Sequence, residues 1–306
     1  MNDSERANAY LERGNARATA GDLNGAITDY NIVLQMIPES AMAYECRAAV
    51  REQLGDRVGA LADYAQARRY AKTKTLDTKP MTVLDQANAQ MSCLQGEACL
   101  DQGDYQGALK HFNAALRADA ELGNAFFGRA QARYLLDGDI DGAIDDLSEA
   151  IYINPKHAAA YVWRGQLNIV RRKEELALTD LNQALRLNAK NAEAYFFRGM
   201  ALDRSGHYQA ALVDYGQAIH LYNHAPEMYA ERAATRMTLH DAKGALDDMN
   251  HAIRLNGSSA CYFNMRGAVR RYLGDRAGSE NDFRRATELD PECPSPRLYD
   301  ALATRR

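Results

Sequence analysis

Long apolar runs, a cationic surplus and closely spaced cysteine pairs are all missing from this chain of 306 residues. No stretch approaches the roughly 20 consecutive apolar residues that a membrane-spanning helix requires. With 37 Lys and Arg against 41 Asp and Glu the formal net charge is -4, and a surface without a broad cationic field is poorly suited to neutralising a phosphate backbone. Neither a membrane span nor a nucleic-acid partner is expected. The cysteines (Cys46, Cys93, Cys99, Cys261 and Cys293) are odd in number and scattered, and a chain of this length does not depend on disulfide stapling. They read as reduced thiols. The opening residues Met1 to Arg6 are polar, with no basic start followed by an apolar run, so the expectation is a cytoplasmic protein.

Catalytic signatures are missing too. There is no Gly-rich phosphate loop, no Gly-x-Ser-x-Gly turn and no Cys-x-x-Cys. His220 and His224 have the four-residue spacing that can join two ligands on a helix, but Ala225-Pro226 follows at once and a zinc site needs a third ligand. The many Asp and Glu residues fall at turns and on polar faces, where capping and solvation account for them. The expectation is a non-enzymatic protein without cofactor or metal.

What the chain does have is a pattern recurring about every 34 residues, a period that marks stacked helix pairs. An aromatic residue is followed one turn later by Arg and a small residue, then by a turn, an Ala, and a bulky residue four positions on. The small residues are Gly14, Ala48, Gly96, Ala130, Gly165, Gly199, Ala233 and Gly267. The aromatics before them are Tyr10, Tyr44, Phe126, Tyr161, Tyr195, Tyr229 and Phe263, with Ser92 the exception. This spacing places both on one stripe of a helix. Gly21-Asp22, Gly55-Asp56, Gly103-Asp104 and Gly274-Asp275 then predict a left-handed helix end and an N-cap. In the second helix Ala26, Ala60, Ala108, Ala143, Ala177, Ala211 and Ala245 allow close approach, with Ser279 the odd one out. Tyr30, Tyr64, Phe112, Leu147, Leu181, Tyr215, Met249 and Phe283 supply bulk. Pro38, Pro155 and Pro291 close their units.

On these residues the chain resembles the tetratricopeptide repeat family over positions 7 to 293. The resemblance implies an all-α fold, a right-handed superhelical solenoid of about eight helix-turn-helix repeats, with a concave groove lined by the first helices that receives a peptide or helix of a partner. The repeats are read at 7–40, 41–71, 89–122, 123–157, 158–191, 192–225, 226–259 and 260–293, with an insertion at 72–88 and a C-terminal cap at 294–306. The two-carboxylate clamp of chaperone-binding members is not matched: Leu11 stands where Lys is expected, Asn15 fits, and Cys46, Gln90 and Leu94 do not. In the insertion Lys72, Lys74 and Lys79 make a polar, basic loop before Pro80, and Met81 to Gln102 reads as one long helix. It is either a hinge or a tolerated surface insertion.

Arg13, Arg47, Arg129, Arg164, Arg198, Arg232 and Arg266 each recur with an Asp on the second helix: Asp29, Asp63, Asp146, Asp180, Asp214, Asp248 and Asp282. In the third copy both change together, to Gln95 and His111. Residues that come and go as a pair predict contact, so the series reads as a ladder of interhelical ion pairs.

In the family register the groove floor of the fourth to sixth repeats is Phe127, Gln131, Tyr134, Leu135, Val162, Trp163, Gln166, Ile169, Val170, Phe196, Phe197 and Met200, around the chain's only Trp. An apolar strip left open by the fold suggests a partner site. Packing between adjacent repeats is the competing account for Val162, Ile169 and Val170, and occupation by the chain's own ends or by a second copy, giving a homodimer, is another. The corresponding positions of the second and third repeats include Glu45, Glu52, Glu97 and Asp101, an acidic end. A partner segment with apolar anchors at one end and basic residues at the other fits this gradient.

Overall fold

The computed structural model describes residues 3–56, 59–60, 62–64, 66–67, 69–70 and 83–293. Lys72, Lys74, Lys79, Pro80 and Met81 of the insertion, and the cap expected at 294–306, lie outside the described residues. Among the described residues there are helices and turns and no strand. In tandem, α1 (Asp3–Thr19) pairs with α2 (Leu23–Met36) and α3 (Ala41–Gln53) with α4, helical in the described residues of 59–70. The next pairs are α5 (Val83–Asp101) with α6 (Tyr105–Ala118), α7 (Gly123–Asp137) with α8 (Ile140–Ile153), and α9 (Ala158–Val170) with α10 (Glu174–Leu187). They are followed by α11 (Ala192–Arg204) with α12 (Tyr208–Leu221), α13 (Pro226–Thr238) with α14 (Ala242–Leu255), and α15 (Ala260–Tyr272) with α16 (Arg276–Leu289). The long helix expected from Met81 to Gln102 is described as α5. The chain divides into two compact units, Met1–Ser92 with Ala114–Glu121 and Cys93–Asn113 with Leu122–Arg306. In the second, each second helix from α8 to α14 packs on the next first helix, and α9, α11, α13 and α15 touch in sequence.

The turn chemistry follows from backbone sterics. The residue seven or eight places after each small residue has positive φ: Gly21, Gly55, Gly103, Gly138, Gly206 and Gly274, and in the two remaining repeats Arg172 and His240 at 56° and 65°. This left-handed conformation ends the first helix. Asp22, Asp56, Asp104, Asp139, Asp241 and Asp275 then accept a hydrogen bond from the amide three residues on, capping the second helix. The small residue on the first helix is a steric requirement. A Cβ at Gly199 would lie 2.8 Å from the Tyr215 ring. Tyr215, like Phe112, Leu147, Leu181 and Met249, is completely buried between helices.

The ion-pair ladder is present in all seven expected repeats. Each Arg donates from Nη2 to one carboxylate oxygen at 2.6–2.7 Å and from Nε to the other at 2.7–3.0 Å, a bidentate fork that fixes orientation as well as charge. The same guanidinium lies 4.8–5.8 Å from the centroid of the aromatic ring one turn earlier. Its third nitrogen reaches the preceding repeat at Asn31, Asn113, Ser148, Asn182 and Asn250. One side chain therefore links two helices of its own repeat and the repeat before. A second arginine, one turn on, supports the same carboxylate in five repeats: Arg17, Arg51, Arg133, Arg236 and Arg270. Asn168 takes that place in the fifth, and Leu202 in the sixth. The hydrogen bonds and charge of Arg13 hold the Asp29 carboxyl below the usual range against the opposing effect of its burial. That contribution is present above the ordinary carboxylate value and is lost as pH falls through the lower folded one.

The expectation of five reduced thiols is corrected at one pair. Cys261 and Cys293, with Cα atoms 6.2 Å apart, form a disulfide, because the antiparallel pairing of α15 and α16 brings residues 32 apart in sequence together. Cys46, Cys93 and Cys99 are unpaired.

The ladder makes a differential expectation. In the sixth repeat the buried Asp214 is held by Arg198, with Leu202 in the place of the second arginine, whereas Asp248 of the seventh has both Arg232 and Arg236. Arg198→Met should cost about 2–3 kcal/mol in urea unfolding, by stranding a buried carboxylate, and Arg232→Met should cost roughly half as much. Equal losses would show that the second arginine carries nothing.

Candidate functional site

The outward positions of α7, α9 and α11 form the candidate site. Their inward positions are already committed: Phe126, Tyr161 and Tyr195 lie against the ladder arginines, and Ala130, Gly165 and Gly199 admit the side chains of the second helices. What remains on the outer face is apolar. Leu135 is 43% exposed and Val170 48% exposed, one on each of two neighbouring helices. Trp163 stands half-buried, its ring meeting Tyr134 edge-on at 6.3 Å between centroids. Phe127 is half-buried against the His157 ring at 4.7 Å. Gln131 and Gln166 are half-buried one turn further along their helices and bring amide groups to an otherwise apolar floor.

Three of the expected floor residues are not on it. Val162 and Ile169 are each 2% exposed in the core cluster with Leu181 and Ala194, and Phe196 is 9% exposed against Tyr215 and Ala211. The reason is the tight stacking of adjacent first helices. The fifth and twelfth positions of α9 and the fifth of α11, which the register assigns to the floor, turn toward the neighbouring helix, whereas Phe127 and Tyr134 at the same positions of α7 stay half-buried. Phe197 and Met200 are intermediate, each packed against two successive core clusters. The exposed part of the site is thus narrower than the register implies, and centres on Leu135, Trp163 and Val170.

The apolar strip ends at α11 in a polar device that the repeat pattern did not flag. Asp203 and Arg204 occupy the positions held by Tyr134 and Leu135 on α7 and by Ile169 and Val170 on α9. Thr235 on α13 donates to the Asp203 carboxylate at 2.7 Å, and Arg204 donates to the Ile169 carbonyl at 2.6 Å. The signal was available as the switch from apolar to charged at equivalent positions. Of the acidic residues, Glu45 and Glu52 are exposed on α3 in the first unit, and Glu97 and Asp101 on α5 in the second. Glu52 accepts from the Tyr64 hydroxyl at 3.4 Å.

His220 and His224 do not share a helix turn, since α12 ends at Leu221 and His224 meets the Tyr222 ring edge. Among the described residues no group of three or more His, Cys, Asp or Glu side chains is arranged to hold a metal ion, and no helix is long and apolar enough to cross a membrane.

The profile of the family described as tetratricopeptide repeat matches residues 52–122, 93–158 and 170–226, together more than half of the chain. Tetratricopeptide repeat protein 36 of Danio rerio is 41% identical over 61 residues, covering 20% of this chain and 32% of its own. The Homo sapiens protein of the same name is 31% identical over 125 residues, covering 40% and 64%. The chain thus spans less than two thirds of the length of either relative. Among solved structures, Pseudomonas aeruginosa pilF superposes with a TM-score of 0.61 at 14% identity, over 72% of this chain and 99% of that one, a likeness of fold.

His157 carries a pH expectation. It is the N-cap of α9, its Nδ1 accepting from the Ala160 amide, and burial pushes its pKa below the ordinary value. The neutral ring is therefore favoured in the fold: its contribution is present above the ordinary histidine value and is lost as pH falls through the lower folded one. Wild type should lose stability between about pH 7 and pH 5, and His157→Asn, which caps without titrating, should flatten that part of the profile. Urea midpoints across the range measure it, and identical slopes would contradict it.

Proposed function

Because the chain belongs to the tetratricopeptide repeat family, whose members generally mediate protein–protein interaction, we propose that it is a non-enzymatic scaffold or adaptor of the cytoplasm that holds a peptide or helix of another protein along α7, α9 and α11. The observation that carries this reading is the exposure of Leu135 and Val170 on either side of the half-buried Trp163, at positions that the packing of the repeats does not need. A small apolar centre with an aromatic ring and amide groups at its side has the composition of an interaction hot spot. The partner segment would insert apolar side chains between Leu135 and Val170. Exposed Glu97 and Asp101 in the same unit favour a segment that also carries basic residues.

A second reading rests on the last repeat. Phe283 is only half-buried, whereas Tyr215 and Met249 at the same position are completely so. A second copy packing on Phe283 and α16 would make the protein self-assembling, and sedimentation across a dilution series separates the two readings.

The test of the first is a peptide-display library panned on wild-type protein, with the selected peptides then measured on Leu135→Asp/Val170→Asp. Both side chains are exposed, so unfolding should be unchanged, while affinity should fall at least about tenfold if they flank a hot spot. Peptides that bind both proteins equally would remove the site from this face.

A further inference from the structure

The α15–α16 pair is fastened differently from the pairs before it. From α8 to α14 every second helix is covered by the first helix of the next repeat, and in a solenoid stability comes largely from such neighbour interfaces. Phe283 on α16 is half-buried, with the Arg271 guanidinium 5.7 Å from its ring centroid. At this pair alone among the described residues, the structure places a disulfide. Cys261 lies in the first turn of α15 and Cys293 just beyond the end of α16, so the bond fastens the open ends of the two antiparallel helices to each other. Both residues retain partial solvent exposure, in contrast to the buried Cys93.

We propose that Cys261 and Cys293 form a redox clasp that fastens α16 to α15 and is opened and closed by a low-molecular-weight thiol and its disulfide. In closing, one cysteine thiolate attacks the small disulfide, releasing one small thiolate and leaving a mixed disulfide on the protein. The second cysteine, as thiolate, displaces the other small thiolate and completes the Sγ–Sγ bond. Two protein thiols are oxidised and one small disulfide is reduced to two thiols; opening is the reverse. The partial exposure of both sulfurs gives the exchanging reagent access. The clasp acts by limiting the freedom of the locally unfolded pair, so its release lowers the cost of detaching α16 without unfolding the repeats before it.

The experiment uses the full chain equilibrated with oxidised or reduced glutathione, without denaturant. Alkylation and peptide mapping should show Cys46, Cys93 and Cys99 as thiols in both states and Cys261 and Cys293 as thiols only after reduction. Amide exchange of α16 should accelerate about 500-fold on reduction, the order expected for cutting a loop of this size, while exchange in α12 stays the same. Cys261→Ser and Cys293→Ser should each exchange like the reduced wild type in either glutathione state, which separates the clasp from any effect of the reagent elsewhere. Failure of the pair to form with oxidised glutathione, failure of millimolar reduced glutathione to open it, or unchanged α16 exchange in the two states would each overturn the proposal.

Discussion

The bidentate pair between an arginine of the first helix and an aspartate of the second is the contact on which the rest of this architecture depends. Its strength as an isolated interaction is modest when one partner reaches solvent, but its geometry is demanding. The carboxylate is buried in each of the seven repeats that carry it, so the fork must be met or the fold bears an unpaired charge. The aromatic ring before the arginine and the small residue after it serve the same geometry: the ring lies against the guanidinium, and Gly or Ala lets the second helix come close. With the third guanidinium nitrogen bonded to the preceding repeat, Arg47, Arg129, Arg164, Arg198 and Arg266 also help set the spacing between repeats. In the third repeat, where Gln95 and His111 replace the pair, the close approach persists through Gly96 and Phe112, so steric fit can hold a pair of helices without the ions.

This division of labour is what leaves an apolar face exposed. The ladder, the bulky residues of the second helices and the buried positions of the first helices complete the interior. Side chains such as Leu135 and Val170 then have no structural task that would explain their apolar character. The links from Arg204 to the Ile169 carbonyl and from Thr235 to Asp203 hold α9, α11 and α13 together. The face is thereby presented by fixed helices rather than loops, so a partner docking there, as proposed, would impose little ordering cost on the protein.

Much of the fold was legible in the sequence because the repeats act as internal comparisons. Arg and Asp vanishing together in one copy identified a contact. The turns at Arg172 and His240 were harder to read, since these residues take the left-handed conformation without being glycine. The site was less legible. A register gives the direction of a side chain relative to its own helix, but Val162, Ile169 and Phe196 are buried by a neighbouring helix, and that depends on how closely first helices stack. The Cys261–Cys293 bond was illegible for a related reason: separations along the chain say nothing of proximity until the helix pair is closed.

The central claim, that the face around Trp163 is where a partner docks, has a reporter built into the chain. Trp163 is the only tryptophan, so intrinsic emission under selective excitation comes from that site alone. Titrating the wild-type protein with a peptide selected for binding should shift the emission to shorter wavelength as the half-exposed ring is covered, with a midpoint equal to the independently measured dissociation constant. Binding that saturates while the emission stays unchanged would contradict the account and place the partner elsewhere on the molecule.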